Sequence, residues 1–338
     1  MKMLINEPNQ VVDEMLEGYA AAFPRHVTIL PQNKRSLVRA GAMRPGKVGI
    51  VTGGGSGHEP AFMGLIGKGM ADGVAVGNVF ASPPPDPILE ATRAVHGGAG
   101  ILYLYTNYAG DCMNFDMAAE LAGLENIRVA TVRVTDDVAS APKEQPDKRR
   151  GIAGSFFVYK AAGAAADQYL PLEEVVRVAE KAKDSVRTMG VALSPCYMPQ
   201  TGQPSFVLDE DEMEIGLGIH GEPGVRRGKL GTADEVSAIL FQSVLDDMPL
   251  QAGDRAAVLV NGMGATPLMQ LFIVYRNIAG LLESQGIQVH QSFVGEYVTS
   301  LEMGGCSVSI MKLDDELAGL IDHPAETAFF AHRQGDAS

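Results

Sequence analysis

The chain has 338 residues, 46% of them apolar and 20% charged, which is length for about two domains at roughly 100–200 residues each and excludes a disordered chain. A formal net charge of −14 sets the surface against phosphate backbones and anionic bilayers, so neither nucleic acid nor membrane is an expected partner. Three scattered cysteines, Cys112, Cys196 and Cys306, give neither a disulfide framework nor a paired-thiolate zinc spacing, so no metal is expected and a reducing compartment is.

Residues 2–8 include Lys2, Asn6 and Glu7 and lack the apolar core of a signal peptide. No apolar run is long enough to span a bilayer, which makes the cytoplasm the expected location. Val12, Met15, Leu16, Tyr19 and Phe23 recur at helical spacing and predict a surface helix over 9–23. A buried strand follows at 48–52. It breaks into Gly53-Gly-Gly-Ser-Gly-His-Glu-Pro60, and a helical stretch is expected over 62–70, so the segment reads as a strand–turn–helix unit. The run Ser82–Pro87 is a rigid turn into a helix over 88–95. A strand at 100–105, a turn at 106–111 and a helix at 113–121 form the next unit, and a strand at 127–134 ends in Thr135-Asp-Asp137. The polar segment 142–150 is expected to be a mobile connection to an Ala-rich helix over 152–166.

Another helix starts near 172. Pro195, Pro199 and Pro204 then mark an irregular stretch, where a domain boundary is placed. Beyond it, strands are expected at 213–219, 256–260, 288–294 and 307–312, and helices at 233–245 and 267–284. Alternating strands and helices imply an α/β protein: a larger three-layer domain on a mostly parallel sheet, residues 1–190, and a second, smaller α/β sandwich, residues 191–338.

Three segments carry chemistry. Glycines in 53–60 bring backbone N–H groups close to a ligand, and His58 with Glu59 is more than a plain turn needs. No glycine-rich phosphate loop ending in Gly-Lys-Ser/Thr occurs, and His58 occupies the place of the last glycine in a dinucleotide fingerprint. Asp111 stands between a strand and a helix, where it serves either as an N-cap or as a catalytic base. His220 lies between small residues just after a strand, with Glu222 able to orient its ring. A satisfied structural histidine is the alternative.

The segments 53–60, Asn107-Tyr-Ala-Gly-Asp111-x-x-Asn-Phe115 and Gly216-Leu-Gly-Ile-His-Gly-Glu-Pro-Gly224, with Asp136-Asp137-Val138, Gly253-Asp-Arg255 and Val260–Pro267, resemble the signatures of the dihydroxyacetone kinase substrate-binding subunit. The resemblance is colinear from about residue 3 to about residue 315. It implies that His220 adds to a ketose carbonyl and holds the substrate as a hemiaminal. Gly55, Ser56, Gly57 and His58 would line the substrate, with His58 as hydrogen-bonding acid/base, and Asp111 would accept the proton of the terminal hydroxyl. It also implies a homodimer that binds no cofactor itself. ATP or ADP with Mg would sit on a helical partner subunit, a separate protein because this chain ends soon after the ketose-binding region.

A neutral histidine is needed for attack, so ketose binding is expected to weaken as pH falls through the imidazole range near ~6.5. One departure is Thr106, which stands where phosphotransferase-linked members of the family carry lysine. A shorter, neutral side chain there makes room for a four-carbon ketose such as erythrulose. Rivals from other classes are a ketose-sensing co-activator without acid/base residues, and a lyase or isomerase that needs no partner.

Overall fold

Apolar side chains alternate along the central strands of the first half, and the alternation feeds two separate cores. Ile50, Val74, Leu102 and Leu104 point into one, Val51, Ala75, Tyr103 and Tyr105 into the other. A period of two with both faces buried describes a sheet covered by helices on each side.

The computed structural model describes residues 2–41 and 44–333. In chain order the first half contains α1 (Val11–Ala22), β1 (Val27–Leu30), β2 (Asn33–Arg39), β3 (Gly49–Ser56), β4 (Gly67–Lys68), β5 (Gly73–Val79) and α2 (Pro85–Val95). It continues with β6 (Ile101–Thr106), α3 (Ala109–Leu124), β7 (Val129–Val134), α4 (Ser155–Asp167) and α5 (Leu172–Asp184). Next come β8 (Val186–Ala192), β9 (Glu212–Ile215), β10 (Arg226–Lys229), α6 (Ala233–Asp247), β11 (Arg255–Gly262) and α7 (Leu268–Ser284). The last elements are β12 (Gln288–Gly295), β13 (Gly305–Leu313), α8 (Asp315–Ile321), β14 (Ala325–Thr327) and β15 (Ala331–His332).

The first sheet is six-stranded in the order β1-β2-β5-β3-β6-β7. Its β5, β3, β6 and β7 run parallel, and β1 and β2 add an antiparallel edge. The second is also six-stranded, β10-β9-β8-β13-β11-β12, and only its β11–β12 pairing is parallel. β8 straddles the expected boundary at residue 190 and pairs with β13. The α/β class is therefore as the sequence implied. A small sheet, β15-β14-β4, completes the fold.

α4 joins the two sheets. It is buried from Ser155 to Ala166, and its alanines allow close approach on one side. On the other, Phe156 and Phe157 meet the ring of Phe293 in β12 at 5.1 and 5.8 Å. One core therefore holds Leu102 and Leu104 of the first sheet together with Ala257, Leu259 and Met311 of the second. The sheets are fixed to each other by burial, which lets residues from both build one rigid site.

Two expected elements differ. The helix over 62–70 is a single tight turn at Met63–Leu65 followed by β4. Gly64, Gly67 and Gly69 deprive it of helix-forming residues, and Gly67–Lys68 pairs with β14 instead. The strand over 213–219 stops at Ile215 because Gly216, with φ +78°, turns the chain.

Candidate active site

β3 delivers the first histidine. The chain leaves the sheet through Gly57, whose φ of +96° is a left-handed conformation that glycine adopts without penalty. Residues 57–59 are then clamped by the segment between β12 and β13. Leu301 N–H donates to the Gly57 carbonyl at 2.9 Å, Thr299 N–H to the His58 carbonyl at 3.1 Å, and the Thr299 hydroxyl to the Glu59 carbonyl at 2.8 Å. His58 is 1% exposed, its Nδ1 is 2.7 Å from the Thr299 carbonyl, and its ring stacks on Phe80 at 5.0 Å.

The second histidine comes from the loop after β9. His220 reaches across to place Nε2 3.0 Å from His58 Nε2, the rings standing at 80°. Edges of Phe80 and Tyr108 wall it at 5.4 and 4.8 Å, yet its side chain keeps 24% of its surface exposed. Glu222 holds it twice: Oε1 lies 3.0 Å from Nδ1, and Oε2 accepts the His220 N–H at 2.9 Å. The Ser300 hydroxyl donates to the Ile219 carbonyl and anchors the loop from below.

Carbonyl and carboxylate oxygens only accept, so each Nδ1 carries its hydrogen. The facing Nε2 atoms then hold lone pairs that one proton can join. Burial first, and next the neighbouring His220, push His58 down to about 3. Burial works to raise the Glu222 carboxyl, but the His220 hydrogen bond, the His220 charge and Arg150 outweigh it and hold it down at about 2.

Asp111 lies in the first turn of α3, inside the helix. The N-cap is Tyr108, without a side-chain capping bond, so the capping alternative falls away. The carboxyl is 7% exposed and its Oδ1 has no hydrogen-bond partner. Burial raises it to about 6, against the opposing pull of Ser82 and of His220.

The structure thus brings His58 and His220 into contact, with Asp111 near enough for the His220 charge to act on its carboxyl. Gly55 is half-buried beside Phe80 and Ala81. Ser56 is nearly buried and spends its hydroxyl on the Gly77 carbonyl at 2.8 Å. Thr106 is buried at the end of β6 against Gly151. Sequence reading missed Phe80, Tyr108 as a ring wall, Thr299 and Arg150. The segment 142–150, expected to be mobile, is tied down: Arg149 pairs with Asp247 at 2.9 and 2.5 Å, and Arg150 with Asp137. Among the described residues no cluster of histidine, cysteine and acidic side chains could hold a metal ion, and no helix is long and apolar enough to cross a membrane.

Two sheets meet over a histidine pair, with a buried carboxyl within reach of its charge, and the chain belongs to the Dak1 domain family, which it matches over residues 17–329. It is 46% identical over 330 residues to the dihydroxyacetone-binding subunit DhaK of PTS-dependent dihydroxyacetone kinase 2 from Listeria innocua, covering 98% of this chain and 99% of that protein. It is also 46% identical over 337 residues to the D-erythrulose kinase of Mycolicibacterium smegmatis, covering all of this chain but 57% of that protein. The dihydroxyacetone kinase of C. freundii superposes with a TM-score of 0.91 at 32% identity, over 98% of this chain and 60% of that one.

Proposed function

We propose that this chain is the substrate-binding subunit of a dihydroxyacetone-type kinase, capturing a short ketose on His220 and presenting its terminal hydroxyl for phosphorylation. The observation that carries it is the partly exposed imidazole of His220, with Glu222 on one ring nitrogen and buried His58 3.0 Å from the other. His220 Nε2 adds its lone pair to C2 of the ketose and forms the carbon–nitrogen bond. The carbonyl π electrons move onto the oxygen, which takes one proton from solvent through His58 Nε2. Positive charge then stays on the alkylated ring beside the Glu222 carboxylate, so atoms and charge balance. Covalency selects ketones over polyols, which lack an electrophilic carbon, and it fixes the hydroxyl for transfer. Asp111, as carboxylate, takes the proton of that hydroxyl.

A nucleotide with Mg, carried by a separate helical subunit, supplies the phosphoryl group. On this reading residues 1–190 form the ketose-binding half, residues 191–338 supply the covalent histidine, and the subunit works in the cytoplasm as a homodimer. The expectation that acid weakens capture stands on the lone pair that His220 Nε2 must keep free for attack, and burial and then His220 hold the neighbouring His58 down at about 3, so His58 is neutral where it assists.

Similarity to a D-erythrulose kinase, together with Thr106, favours a second substrate within the same reading, a four-carbon ketose. Native mass spectrometry of the purified chain with dihydroxyacetone, both erythrulose enantiomers and glycerol tests both. Retained ketose without retained glycerol, lost in His220→Ala, is expected. Retention of glycerol, or an unaffected variant, overturns covalent capture. A strong preference for dihydroxyacetone over both erythrulose enantiomers overturns the four-carbon reading.

A further inference from the structure

We infer that Arg150 is a positioning residue for ketose capture: it spans Asp137 and Glu222 and thereby fixes the carboxylate that orients His220. The inference rests on the reading of His220 as the capturing group. Arg150 follows the segment 142–149 and turns its guanidinium under the His220 loop. Its Nε and Nη2 meet Asp137 Oδ2 at 2.9 and 2.8 Å, Nη2 donates to the Gly216 carbonyl at 3.3 Å, and Nη1 stands 3.7 Å from Glu222 Oε2. Its backbone is pinned as well, Arg150 N–H donating to the Ser140 hydroxyl at 2.9 Å and its carbonyl accepting Asp137 N–H at 3.1 Å. One side chain therefore ties the turn after β7 to the loop that carries His220.

Gly218 supports this assignment. A Cβ there would fall 2.1 Å from Glu222 Oε2 and 2.4 Å from Arg150 Nη1. The carboxylate and guanidinium occupy the space that a side chain would fill, and Gly218 is not in the left-handed conformation, so room for this pair is what the glycine supplies. Arginine suits the task because its planar fork reaches two acceptors in fixed directions, whereas a lysine ammonium is a point donor. His58, Glu222 and Tyr108 contact His220, Asp111 lies within reach of its charge, and Arg150 and Asp137 stand behind Glu222. Arg150 is the cation in that set with a fixed charge. Removing it withdraws the cation 3.7 Å from Glu222 Oε2 and leaves the carboxylate held only by the two contacts to His220, which weakens the constraint on the ring whose Nε2 must meet C2.

A structural role, neutralising buried Asp137, is the competing account, and the variants separate the two. Arg150→Met leaves Asp137 without its cation. Arg150→Met combined with Asp137→Asn removes both partners, so no buried charge is left unpaired. Arg150→Lys keeps the charge without the fork. Affinity for dihydroxyacetone and for D-erythrulose is read by native mass spectrometry, melting temperature is read in parallel, and the Nδ1–H resonance of His220, assigned with His220→Ala, is followed by NMR. Positioning predicts an affinity loss of up to about fivefold, the scale of an ion pair without a hydrogen bond, in both Arg150→Met and the double variant. It also predicts a displaced Nδ1–H resonance and partial recovery in Arg150→Lys. Wild-type affinity and resonance in the double variant would overturn it and leave Arg150 as a partner of Asp137. Retention of ketose by His220→Ala would instead sink the capture reading itself, whatever Arg150 does. Should Arg150→Met not fold, the double variant and Arg150→Lys decide.

Discussion

Two glycine-rich strand exits build this site, and they use the same local device to opposite ends. After β3, Gly57-His58-Glu59 returns a carboxylate to the chain, Glu59 accepting Gly57 N–H at 3.0 Å. After β9, His220-Gly221-Glu222 does likewise, Glu222 accepting His220 N–H at 2.9 Å. Around Glu59 burial dominates and raises the carboxyl, and the adjoining His58 is sealed beneath Phe80 and clamped by Thr299. Around Glu222 the His220 ring and Arg150 overcome burial and hold the carboxyl low, while His220 keeps an open face. The motif does not decide the role. The charges and walls that the rest of the fold brings to it do.

The largest effect that would break this contrast is at the nucleophile. His220→Ala should abolish ketose retention and lower kcat/KM with a competent partner subunit by more than about 10⁴-fold, since fixing a substrate is worth at least that much. Measurable retention would mean that the His220 imidazole is not the anchor. Asp111→Asn comes next. Retention should survive while turnover falls by about 10²–10⁴-fold, the range of a general base. Equal loss of both would place Asp111 in capture and not in proton transfer.

Acid should separate the same two events. A base must be ionised to act, and Asp111 is raised to about 6, so turnover should fall as pH drops through about 6, by about tenfold per unit below it. Capture does not use Asp111, so Asp111→Asn should remove this acid step from turnover and leave the pH profile of retention as in the wild type. Titrating retention and turnover of both proteins checks this, and a shifted retention profile in Asp111→Asn would place Asp111 in capture.

How much of this was legible follows from where the signals lie. β3, β6, α3 and α7 announce themselves through runs of apolar residues at one period, and His58, Asp111 and His220 stand at strand exits among glycines, where a side chain has little reason to be except chemistry. β1, β2 and β8 were not expected: Asn33–Arg39 is too polar for its two-sided setting, and β8 lies in the stretch where a boundary was drawn. Thr299 has no local signature at all. Its carbonyl matters because β12 and β13 close over residues 57–59 from 240 positions away. Arg150 was hidden by its surroundings, since a charged segment reads as solvated unless a buried carboxylate from another element awaits it.

Smaller effects sharpen the comparison at the carboxylates. Glu222→Gln keeps an oxygen acceptor but loses the charge facing the His220 ring, which should weaken ketose affinity by about tenfold. Glu59→Gln removes a carboxyl that burial already disfavours as an anion, and no cation loses a partner. Its amide oxygen can still accept Gly57 N–H, so the turn that presents His58 should stand. Affinity should change by less than about twofold, within the ordinary range for a substitution that creates no unsatisfied buried group. A change as large as that of Glu222→Gln would show that Glu59 carries charge in the working protein, and that the two strand exits are electrostatic equals after all.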